Sequence, residues 1–176
     1  MILYFVRHGQ TDFNKTHRLQ GVEFDEPLNA EGEKEMNDLL PNLPTGFEVI
    51  FASPLKRVQM SAQIIADYSH KPIITKKELS ERDFGSLAGK TTDEIPNGYE
   101  LREIDRQLKY DYRPFGGESV EDVAVRLKQF IEYAKGSGYQ SALVVSSIGI
   151  LRLAYKVFLN QIVTEIENAS VHAFEI

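Results

Sequence analysis

The sequence predicts an α/β fold: a mostly parallel central sheet with helices on both faces and a short lid insertion. Three observations lead there. Short apolar runs alternate with stretches of helical spacing, the pattern of strand–helix–strand units. Those runs are apolar at consecutive positions, as expected of strands covered on both faces. The chain has 176 residues, 42% of them hydrophobic, which suits a single domain over 1–176 with one sizeable core.

The elements follow in order. Ile2 to Val6 is the first buried strand. Residues 9–28 are polar, carry Gly21 and Pro27, and read as a loop. Asn29 caps a helix running to about Leu40, with Glu31, Glu33 and Glu35 near its positive end. Val49 to Ala52 is the second strand. Ser53 followed by Pro54 predicts a helix start, a capping hydroxyl and then a first-turn proline. Leu55, Val58, Ala62, Ile65 and Ala66 continue it at helical spacing. Ile73-Ile74 is a third strand. Residues 80–117 are polar and glycine-rich, with one short helix near 99–109. Ser119 opens a helix that aligns Val120, Val123, Leu127, Phe130 and Ile131. Ala142 to Val145 is a strand, 149–159 a helix, and Val171 to Ile176 the last strand.

Composition excludes several classes. A net charge of −6 argues against a nucleic-acid surface, although local arginines can still attract an anion. There is no cysteine, so disulfides, thiolate metal sites and cysteine nucleophiles are out. The N-terminal apolar run is too short for a signal peptide or membrane span, and the default expectation is a cytoplasmic protein. The four histidines lack paired metal spacing, so neither metal nor cofactor is expected. Oligomeric state is not readable.

The chemistry starts at Arg7-His8-Gly9, directly after the first strand. In an open α/β sheet the C-terminal strand edge is where ligands bind. A neutral imidazole is a competent nucleophile toward phosphorus if an acceptor holds its other nitrogen, and a backbone carbonyl in the next turn is the expected holder. Arg7 offers a planar fork that matches a phosphate. Arg57 lies one turn into the helix that follows the second strand and can grip the same phosphate. Glu81 is either a proton donor whose pKa burial raises or a partner of Arg82 in a surface ion pair. Of the other histidines, His17 can reach a cleft rim, but it reads, like His70 and His172, first as a solvent-facing or packing residue.

Arg7-His8-Gly9-Gln10-Thr11, followed by Asn14, Arg18, Gln20 and Gly21, resembles the signature of the histidine phosphatase superfamily, which includes phosphoglycerate mutases and many small phosphatases. The resemblance continues through Leu28 to Gly32, Ala52 to Arg57, Leu79 to Gly85, Gly117-Glu118-Ser119 and Val144-Val145-Ser146. It implies that His8 is the phosphorylated nucleophile, that Arg7 and Arg57 bind the phosphate, and that Glu81 is proton donor and then base. It also implies that Asn14, Gln20, Gly21 and Arg82 line the substrate side. A lid at about 86–116, carrying Lys90, Arg102, Arg106, Lys109 and Arg113, would be short, which fits a phosphatase better than a glycolytic mutase. The implied partner is a small phosphorylated molecule or a phosphoprotein.

One motif departs from that pattern. Where the family has Ser-His-Gly-Gly, this chain has Ser146-Ser147-Ile148-Gly149. Ser147 can donate a hydrogen bond to a phosphate but cannot carry positive charge. Ile148 stands where the family has glycine, and a positive φ there would strain it. The sequence therefore supports a weakened phosphomonoesterase, or else an inactive phosphate-binding or interaction module on the same scaffold. Ser147 as a serine-hydrolase nucleophile is disfavoured, because G-x-S-x-G is missing.

Overall fold

The computed structural model describes residues 1–176. Five strands form one sheet: β1 (Ile2–Arg7), β2 (Val49–Ala52), β3 (Ile73–Thr75), β4 (Ser141–Ser146) and β5 (Val171–Glu175). Their order is β3-β2-β4-β1-β5. The first four pair in parallel, and β5 runs antiparallel on the edge beside β1. The helices are α1 (Asp12–Lys15), α2 (Ala30–Leu39), α3 (Lys56–Ser69), α4 (Gly98–Arg106), α5 (Val120–Gly136) and α6 (Ile148–Leu159).

Strand alternation divides the apolar runs between two cores. Leu3, Phe5, Val49, Phe51 and Val144 face one core, with Val123, Leu127 and Phe130 of α5 and Ile150 and Leu151 of α6. Val6, Ile50, Ala52, Leu143 and Val145 face the other, with Met36 of α2 and Val58, Ala62 and Ile65 of α3. All are fully buried. Burial stabilises each large apolar side chain by about 1.5–3 kcal/mol relative to exposure. It also explains why the strands are apolar at consecutive positions.

Two local expectations are corrected. Ser53 does not cap α3. The chain stays extended at Leu55 and the helix begins at Lys56, whose N–H donates to Asp25 Oδ1 at 2.6 Å. The cap arrives from a distant loop, while the Ser53 hydroxyl is buried without a partner. Residues 9–28 are not wholly irregular either, because Thr11 and Asn14 form a capping box that opens α1. The short helix expected near 99–109 is α4.

Candidate active site

The β1–β4 register sets Arg7 beside Ser146, and the His8 N–H donates to the Ser146 carbonyl at 3.0 Å. His8 and Ser147 therefore leave the sheet next to each other at its C-terminal edge. His8 is only 3% exposed. Its Nδ1 lies 2.7 Å from the Gly9 carbonyl. A carbonyl only accepts, so Nδ1 carries the proton and Nε2 keeps its lone pair. Burial first, then the charges of Arg57 and Arg7, hold the pKa of His8 well below 6.5. The ring is neutral at neutral pH, as a nucleophile requires.

The turn that carries His8 is fixed from three directions. A β-carbon on Gly9 would sit 2.3 Å from the Gly32 carbonyl oxygen, so only glycine allows the turn to lie on the start of α2. The Gly9 N–H donates to Ser61 Oγ at 3.2 Å, and Ser61 Oγ donates to the Arg57 carbonyl at 2.7 Å. Asn168 Nδ2 donates to the His8 carbonyl at 2.8 Å.

The depressed pKa of His8 gives a stability prediction. Below pH 6.5 the unfolded chain takes up a proton that buried His8 refuses, so the fold loses stability as pH falls through and below that value. The Tm of the wild-type chain is expected to drop between pH 7 and pH 5, and His8→Asn to flatten that drop. Parallel curves for the two proteins would remove His8 as the cause.

A cavity of about 110 Å³ is lined by Arg7, His8, Asn14, Gln20, Gly21, Arg57, Glu81 and Arg82, among others. These side chains come from β1, from the first loop, from the first turn of α3 and from the segment after β3. The cavity gathers every residue that the sequence singled out for the site except Ser147. That residue is 1% exposed, precedes α6 without a capping bond, and has a buried hydroxyl with no partner. It lines neither this cavity nor the larger one beside it; Ile148 lines both. Ile148 is helical and its φ is not positive, so the expected strain is absent.

Arg7 and Arg57 are largely buried cations with spare donors. Arg57 Nη2 donates to the Gly21 carbonyl at 2.8 Å, and Gly21 adopts the left-handed φ of +58° that favours glycine. Arg7 Nη1 donates to the Ile166 carbonyl. The Nε of each is buried and unpartnered. Burial lowers the pKa of both, Arg7 to about 10. A dianion among them would relieve that penalty. Gln20 Oε1 accepts from Thr11 Oγ1 at 3.1 Å, and its Nε2 is likewise buried without a partner.

Glu81 corrects a further expectation. Burial alone would raise its pKa. The Arg82 guanidinium, the N–H groups of Arg82 and Gly149, and the Arg57 charge outweigh burial and hold it at about 2. Its Oε1 accepts from Arg82 Nη1 at 2.8 Å and its Oε2 from the Gly149 N–H at 3.1 Å. The ion pair with Arg82 exists but is buried, not on the surface. Arg82 also donates from Nε and Nη2 to Asp105, both at 2.8 Å, and Asp105 takes further bonds from Tyr112 and Arg152.

Gly149 allows this packing. A β-carbon there would lie 2.1 Å from Arg82 Nη1 and 2.2 Å from Glu81 Oε1. Gly149→Ala is expected to break the pair at a cost of about 3–5 kcal/mol, lowering Tm by roughly 10 °C for a chain of this size. Thermal melts test this, and an unchanged Tm would refute it.

The larger cavity, about 370 Å³, shares Arg7, Asn14, Arg18, Leu19, Arg82 and Ile148 with the smaller one. It adds apolar Phe13, Ile95 and Leu101 and the cations Arg102, Arg106 and Arg152, with His17 at its wall. Lys90, Lys109 and Arg113 do not line it, and Arg113 pairs with Asp111 on the surface. His70 ends α3 in a left-handed conformation, and His172 bonds Tyr155 and Ser170. Sequence reasoning missed Ser61, Asp105, Arg152 and Asn168, whose partners lie far along the chain. No cluster of three or more His, Asp or Glu suits a metal. No helix is long and apolar enough to cross a membrane.

A neutral histidine, two buried arginines and a carboxylate thus share one cavity at the C-terminal edge of the four parallel strands. The chain belongs to the histidine phosphatase superfamily (branch 1), which it matches over residues 3–176. It is 31% identical to the uncharacterized phosphatase PhoE of Bacillus subtilis (strain 168), over 93% of this chain and 86% of that one. It is 30% identical to phosphoserine phosphatase 1 of Hydrogenobacter thermophilus, over 82% and 69% of the two chains. The crystal structure of phosphoglycerate mutase from Thermus thermophilus superposes with a TM-score of 0.79 at 28% identity, covering 98% of this chain and 92% of that one.

Proposed function

We propose that the chain hydrolyses a phosphomonoester through a phosphohistidine at His8, with turnover lowered by Ser147 and Ile148. One observation carries this reading: His8, with Nε2 free, shares a cavity with Arg7, Arg57 and Glu81. In the first step Nε2 attacks phosphorus, the ester O–P bond breaks, and the leaving oxygen takes a proton from Glu81. In the second, Glu81 takes a proton from water, the water oxygen bonds to phosphorus, and the N–P bond breaks, releasing phosphate.

The low pKa of Glu81 suits the second step directly, since a base must be ionised. The first step needs the protonated form. A phosphate dianion beside Glu81 favours that form, because like charge raises a carboxyl pKa. Substrate binding thus loads the proton where it is used.

The partner is a small phosphorylated organic molecule, with its phosphate in the smaller cavity around His8 (the inner one) and its leaving group in the larger (the outer one). The test is to incubate the protein with p-nitrophenyl phosphate and with sugar and nucleotide phosphates, quench in alkali, and locate the phosphate by mass spectrometry. Steady release of inorganic phosphate with a label on His8 is expected. Binding of phosphate without turnover or label would favour the second reading, a non-catalytic phosphate-binding module. The Ser147 hydroxyl, which lines neither cavity, is the observation on that side.

A further inference from the structure

We infer that Arg82 supplies to the transferring phosphoryl group the positive charge that Ser147 cannot, and that Asp105 of α4 is the residue that positions it. The inference rests on the phosphatase reading above.

The placement comes first. Arg82 lines the cavity that holds His8. Its Nη1 lies so close to the backbone at the start of α6 that a Gly149 β-carbon would be 2.1 Å away. Gly149 is two residues beyond Ser147, so this guanidinium rests on the same helix start. Ser147 itself presents nothing to the cavity, and Ile148 presents only hydrocarbon. Of two other arginines nearby, Arg152 does not line this cavity and Arg18 is held at the surface by Glu94. Arg18 bonds Glu94 and the Gly89 carbonyl, and Arg152 bonds Asp105 and the Thr164 carbonyl.

The orientation is fixed. Nε and Nη2 of Arg82 each donate to Asp105, and Nη1 donates to Glu81. A guanidinium has five N–H donors, so one on Nη1 and one on Nη2 remain for an anion. Asp105 grips it with both carboxylate oxygens, the arrangement that best fixes a guanidinium plane.

The charge balance also fits. Arg82 and Arg152 are offset by Asp105 and Glu81, leaving Arg7 and Arg57 to face a phosphate dianion. When Glu81 takes up the proton it will donate, Arg82 loses one of its two counter-charges. Its field then turns toward the phosphoryl group in the state that reacts. Serine at 147 is tolerable because this third cation is already there.

The experiment is a double-mutant cycle with three readouts: kcat, KM, and the affinity for inorganic vanadate by titration calorimetry. Vanadate mimics the five-coordinate phosphoryl group, so its affinity reports the charge that matters in the reaction. Arg82→Gln is expected to lower kcat and vanadate affinity together by about 10²-fold, with KM within a factor of about three. Arg82→Lys, which keeps the charge, should recover part of both. Adding Ser147→His with Ile148→Gly should help the Arg82→Gln protein at least tenfold more than it helps wild type.

Equal gains in the two backgrounds, or Arg82→Gln matching wild type in kcat and vanadate affinity, would overturn the inference. Should Arg82→Gln fail to fold, Asp105→Asn decides. It leaves Arg82 in place but loosened, and should lower kcat and vanadate affinity about tenfold with KM nearly unchanged; no change in either would refute the positioning role. Vanadate binding needs no turnover, so the two readings fail separately. A wild-type protein without turnover whose vanadate affinity collapses in Arg82→Gln sinks the hydrolase and keeps the arginine. Turnover that survives Arg82→Gln intact does the reverse.

Discussion

His8→Ala is expected to take phosphatase activity to background, a loss of about 10⁴–10⁶-fold, the scale seen when a nucleophile is removed. The neighbouring groups do not offer a replacement. Glu81 is clamped between Arg82 and the Gly149 N–H, and His17 stands at the wall of the outer cavity. The loss should fall on kcat, because Arg7 and Arg57 still hold the phosphate. A phosphate-release assay on the two purified proteins measures it. Activity within tenfold of wild type would mean that the phosphoryl group does not pass through His8.

Ser147→His combined with Ile148→Gly is expected to raise kcat by about 10²-fold. That is the lower end of the roughly 10²–10³ that one donor to developing charge is worth, since Arg82 already covers part of the need. Both changes are required. An imidazole at 147 needs room to reach the inner cavity, and the Ile148 side chain lines that cavity now. Ser147→His alone should therefore gain much less. Steady-state kinetics on the single and double variants test this. No gain in the double variant would show that the rest of the site has lost the chemistry.

Much of this fold can be read from the chain because its strands bury both faces. Consecutive apolar positions in Ile2–Val6, Val49–Ala52 and Ala142–Val145 need no partner to be recognised. The site is partly legible for a related reason: Arg7, His8 and Arg57 sit where a strand ends or a helix begins, which is where a sheet presents side chains, whereas Glu81 lies in the irregular segment after β3. What stays hidden is long-range. Asp25 caps α3 in place of Ser53, and Asp105 holds Arg82 across 23 positions. The ionisation of Glu81 is hidden because burial can be foreseen, whereas the guanidinium and two N–H groups around it cannot. That Ile148 lines both cavities and Ser147 neither cannot be foreseen either, because it depends on how the chain turns into α6.

The bidentate grip of Asp105 on Arg82 has a consequence for traffic. Residues 86–116 are bolted through the last turn of α4 to Arg82 in the wall of the cleft. Swinging that segment away in one piece would pull the Asp105 carboxylate off Arg82 and Arg152 and leave two buried guanidinium groups without it. Any movement that admits a molecule has therefore to occur on either side of the bolt. With that point pinned, selection among candidate molecules is expected to follow their girth beside α4 more than any wholesale closure around them.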